Sequence, residues 1–143
     1  MDELEAVKAS AAYAQDVTQL ALVVIGGTVA VLLGSSHLRP PSRVIRWSYF
    51  LFVPGWAFLG MAIYFGIQVK QGYLAYLWQA GPKGLSADMA RAIGQSMNTD
   101  ATRQITYLQV GLATLAVWML VYLCWWILRA DNSERGGNDK ASA

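Results

Sequence analysis

Aspartate, glutamate, lysine and arginine are all missing from residues 17–38, 47–69 and 104–128, three runs of 22 to 25 residues each. At about 1.5 Å per helical residue such a run reaches roughly 33 to 38 Å, enough to cross about 30 Å of bilayer hydrocarbon. Every charged side chain of the 143-residue chain lies outside them. Core helices of a soluble protein keep a polar face, and these runs keep none, which argues against a soluble three-helix core. The emptiness also argues against a proton or ion carrier, because carriers keep ionisable groups inside the membrane.

Other scarcities narrow the function further. A single cysteine, Cys124, excludes an internal disulfide and a multi-cysteine metal site. Among Leu123, Trp125 and Trp126 it reads as a small apolar side chain. One histidine, His37, excludes a His-pair metal site. Nucleophile, phosphate-loop and zinc-protease motifs are missing. The net charge of +2 and the scattered basic residues give no sign of a nucleic-acid partner. No cofactor and no metal are expected.

What is present sets a topology. Residues 1–16 are acidic and the basic cluster follows the first apolar run, the reverse of a cleavable signal peptide. The loop after that run holds Arg39, Arg43 and Arg46 without an acid, and the positive-inside tendency places it in the cytoplasm. The expected orientation therefore puts the N-terminus outside and the C-terminus inside, in a plasma or inner membrane.

The expected fold is all-α: a three-helix membrane bundle running up-down-up, with spans at about 17–37, 46–69 or longer, and 104–128. Residues 1–129 form one membrane domain, and the polar residues 130–143 read as a disordered tail. Pro40 and Pro41 stop the first helix, and Ser42 caps the second. Pro54 with Gly55 predicts a kink inside the second span. Tyr73, Leu74, Tyr76, Leu77 and Trp78 suggest that this helix continues, or bends, along the headgroup layer. Leu85, Met89, Ile93 and Met97 recur every four residues, with Ser86 available as a cap, which predicts a short amphipathic interfacial helix in the second loop. Asn98, Thr99 and Asp100 then read as the cap of the third span.

At 100° per residue, Gln19, Gly26, Ala30 and His37 share a line on the first helix, with Gly34 close by. Ser48, Gly55, Ala62 and Gly66 share one on the second, while Gln104, Gly111, Trp118 and Trp125 repeat every seven residues on the third. Small-residue stripes let membrane helices approach closely, since van der Waals packing drives their association in lipid. Trp118 is expected to fill those gaps, within one protomer or between protomers.

Two polar groupings are candidate sites. His37, Arg39, Arg43 and Arg46 suit an anionic lipid headgroup or another anion, although topogenic arginines at a headgroup layer explain them as well. Asp16, Gln19, Gln68, Lys70, Arg103, Gln104 and Gln109 fall near one depth on the predicted outer side. They form either a vestibule, with Asp16 paired to Lys70 or Arg103, or ordinary interfacial and interhelical hydrogen-bonding residues.

In size and in its three spans the chain resembles the small prokaryotic diacylglycerol kinases, a resemblance of architecture alone. Those enzymes rely on acidic residues at the membrane boundary on the ATP side. Here the cytoplasmic ends carry none until Asp131, so no catalytic role transfers. The function expected is non-enzymatic: an accessory or scaffold subunit of a membrane complex, or a homo-oligomer, with the bilayer and another membrane protein or a second copy as partners. A homo-oligomeric pore or membrane-perturbing effector is the alternative, and a lipid-processing enzyme using His37 a third.

Overall fold

A computed structural model describes residues 3–34, 49–79 and 86–138, with side chains over 5–34, 49–79 and 86–125. The described residues hold no strand. They form α1 (Glu3–Gly34), a 3-10 turn (Tyr49–Leu51), α2 (Phe52–Gln79) and α3 (Ala87–Asn138). All three helices are long and apolar enough to cross a membrane. Each touches the other two; α2 and α3 pack most extensively, and α1 and α3 least.

Side-chain size is sorted in the sense that lipid demands. Ala14, Ala21, Gly55, Ala62, Gly66 and Gly111 are turned inward and buried. Val23 and Leu33 are both 70% exposed, and Phe50 is 64% exposed. Water would drive such residues inward, whereas hydrocarbon leaves large apolar groups outside at no cost and rewards close backbone approach. The main core joins Val17 and Ala21 of α1, Phe52, Leu59 and Ala62 of α2, and Leu108, Leu115 and Trp118 of α3.

Three local expectations are corrected by this arrangement. Pro54 makes no mid-helix kink: α2 begins at Phe52 after the 3-10 turn, so Pro54 stands in the first turn, where a backbone N–H has no intrahelical acceptor to lose. Residues 87–97 are no separate interfacial helix but the first turns of α3. Their apolar stripe is covered in part: Met97 is 4% exposed and joins Val69 of α2 and Ala14 of α1 in a second core, with Ile93 and Tyr73 against it, while Met89 is 50% exposed. Residues 98–100 cap nothing, because the helix runs through them; Thr99 and Thr102 donate their hydroxyls to the carbonyls of Gln95 and Asn98, one turn back. Helix α3 extends to Asn138.

Ser86 is the N-cap of this long helix. Its carbonyl accepts from Met89 N and Ala90 N at 3.1 and 3.0 Å, its hydroxyl lies 3.4 Å from Met89 N, and Asp88 faces the positive helix end. The second helix runs on past Val69 to Gln79, so α2 and α3 extend as a pair beyond the charge-free segments.

Candidate functional site

Among the described residues a single polar side chain is buried, which makes it informative. Gln104 of α3 is fully buried where all three helices meet. Its Nε2 donates to the Ala14 carbonyl of α1 at 2.9 Å and to Thr18 Oγ1 at 3.1 Å, while Thr18 Oγ1 donates to the same Ala14 carbonyl at 2.8 Å. Gly66 of α2 closes the third side. A Cβ built there would collide with Thr18 Oγ1 and stand 2.5 Å from Gln104 Nε2, so only glycine leaves the node its space. Gln104 Oε1 has no partner among the described residues.

About ten residues further along α1, another polar contact ties it to α2. Trp56 Nε1 donates to Thr28 Oγ1 at 2.8 Å, and Thr28 in turn donates to the Ile25 carbonyl. The two ties lie about three helical turns apart and fix the height of α1 against its neighbours.

The remaining residues of the outer polar grouping are not drawn together. Asp16, Gln19, Lys70 and Gln109 are exposed and Gln68 is half-buried. Arg103 pairs with Asp100 on its own helix at 3.8 Å and lies 5.6 Å from the centre of the Phe65 ring, which stacks on Tyr107. Among the described residues no ion pair joins Asp16 to Lys70 or Arg103. His37, Arg39, Arg43 and Arg46 lie outside the described residues.

The three small-residue lines part company. On α2, Gly55 faces Leu115 and Ala62 is fully buried; across from it, Gly111 of α3 faces Leu59 and the Gly55 carbonyl. Leucines therefore fill the gaps assigned to Trp118, which instead lies in an aromatic cluster 4.4 Å from Phe52 and 5.4 Å from Tyr122, ring centre to ring centre. On α1 the line turns outward: Gly26, Ala30 and Gly34 are exposed, and the space over Gly26 and Gly34 is open. The inner face of α1 is Ala11, Ala14, Val17 and Ala21.

Among the described residues no group of three His, Cys, Asp or Glu side chains is placed to hold a metal ion. No family model, no curated protein and no solved structure matches the chain. The functional reading therefore rests on the helices and their faces.

The sequence places Gln104 among residues suited to interhelical hydrogen bonds but does not mark its partners, which are a backbone carbonyl and a threonine on another helix. The signal available was modest: one amide in register with Gly111 and Trp118 on the inward line of the third run.

Proposed function

We propose that this protein acts by helix–helix assembly in a membrane, as an accessory or scaffold subunit of a complex or as its own oligomer, without catalysis. The observation that carries the reading is the outward line of Gly26, Ala30 and Gly34 on α1. Small residues four apart on an uncovered helix face are the surface on which a second membrane helix packs closely. Only 11% of the most apolar window of α1 is buried, against 28% of that of α2, so α1 has the most surface left for a partner.

In this reading the helices run up-down-up in a plasma or inner membrane, with the N-terminus outside and the C-terminus cytoplasmic, and Arg39, Arg43 and Arg46 face anionic headgroups. An oligomeric pore draws less support, since the α2 stripe that would line it is packed against α3 within one protomer. The test is size in detergent by light scattering. Gly26→Leu with Ala30→Leu is expected to convert an assembled species to a smaller one, and an unchanged mass sinks the proposal.

A further inference from the structure

Between α1 and α3 a groove of about 450 Å³ opens on the surface, within the range of small-molecule sites. Val24, Gly27 and Val31 form one wall, and Leu115, Ala116 and Met119 the other. The buried rings of Phe52 and Trp118 close its inner side. It exists because the two helices touch least of the three pairs and because small residues face it: a Cβ on Gly27 would meet nothing within 4 Å. We propose that this groove holds one acyl chain of a membrane lipid.

Depth is the first argument. Residues 24–31 and 115–119 lie at the middle of the charge-free runs 17–38 and 104–128, so in either orientation the groove opens at the bilayer midplane. Polarity is the second. The lone hydroxyl in the lining, that of Thr28, is engaged twice, donating to the Ile25 carbonyl and accepting from Trp56 Nε1, each at 2.8 Å. The Trp118 N–H is buried and has no partner among the described residues, so it adds no accessible polar surface. The accessible lining thus carries no charge and is almost wholly apolar, and its complement is apolar too. Water would lose hydrogen bonds there, and an empty groove would forgo dispersion contacts along both walls. Hydrocarbon chain is the bilayer component that matches at this depth.

The groove is distinct from the proposed assembly face. On the helical wheel the Gly26, Ala30 and Gly34 line stands about 110° from the centre of the groove wall on α1. The proposal therefore stands or falls without the assembly reading. Its physical consequence is that lipid completes the sparse contact between α1 and α3.

Photolabelling of the full chain tests it. The protein is placed in phosphatidylcholine vesicles containing a trace of phosphatidylcholine with a diazirine at the terminal end of one acyl chain, and adducts are mapped by mass spectrometry. Adducts are expected to concentrate on residues 24–31 and 115–119. Gly27→Leu on one wall, or Ala116→Phe on the other, should lower that labelling several-fold, and Gly60→Leu, on an exposed and open position of α2, should leave it unchanged. Wild-type labelling spread evenly over outward residues such as Val23, Leu33 and Met61 overturns the proposal. So does labelling that neither wall variant reduces, or cross-linking of the groove to a second copy.

Discussion

Gln104 of α3 donates its side-chain N–H to the Ala14 carbonyl of α1 across 2.9 Å, a bond between residues 90 apart in the chain. It is a buried polar tie in an otherwise apolar interface, and it sits where α2 offers only the hydrogen of Gly66. Interhelical hydrogen bonds of membrane proteins average about 0.6 kcal/mol, so this node sets the register of α1 more than it holds the fold together. The unpartnered Gln104 Oε1 subtracts from its worth.

That balance gives an ordering of substitutions at position 104. Gln104→Leu keeps most of the volume and removes the unsatisfied oxygen, and should cost about 1 kcal/mol. Gln104→Ala removes the same bonds and opens a cavity, and should cost about 2 kcal/mol or more. Unfolding followed by steric trapping in bicelles measures both, and a leucine variant less stable than the alanine variant contradicts the account.

Gly66→Ala should destabilise by about 1 to 3 kcal/mol, the cost of forcing a methyl into an occupied site, here into Thr18 and Gln104. Gly60→Ala, six residues earlier with open space around it, should be neutral or slightly stabilising. Equal effects at the two glycines would remove the argument for close approach at the node.

The α2–α3 contact yields a second comparison. A Cβ on Gly55 would lie 2.9 Å from Leu115 Cδ2, the end of a side chain that rotates away. A Cβ on Gly111 would lie 3.0 Å from Leu59 and 3.2 Å from the Gly55 carbonyl, which is backbone and moves only with the helix. Gly111→Ala is therefore expected to lower the unfolding temperature more than Gly55→Ala, as read by thermal denaturation in detergent.

Trp56 and Thr28 should couple. A double-mutant cycle with Trp56→Phe and Thr28→Val is expected to return about 0.6 kcal/mol, the typical worth of such a bond, because phenylalanine retains the ring contact with Phe52. A coupling energy of zero places the 2.8 Å contact among those that contribute nothing.

Substitution on the outward face of α1 should leave the protomer alone. Gly26→Leu with Ala30→Leu is expected to change unfolding of the monomer by no more than about 0.5 kcal/mol, since both positions are exposed and the space over Gly26 is open. A large loss of protomer stability would mean that this face is internal after all.

The sequence by itself determined the number of spanning helices and their rough limits, because the cost of a charge in hydrocarbon is written residue by residue and needs no knowledge of neighbours. It also marked the cap at Ser86, whose hydrogen bonds are local. Periodicity showed that α1 and α2 each carry a stripe of small residues, but not which stripe is used. In lipid an apolar face gains nothing by turning inward, so the rotation of α1 is set by packing partners far along the chain: Ala14 and Thr18 to Gln104, Thr28 to Trp56. Only the tertiary structure turned Gly55, Ala62 and Gly66 inward and left Gly26, Ala30 and Gly34 exposed. The same long-range packing merged residues 87–97 into α3, since Met97 and Ile93 find Val69 and Tyr73 there, contacts that a four-residue repeat cannot distinguish from a membrane surface.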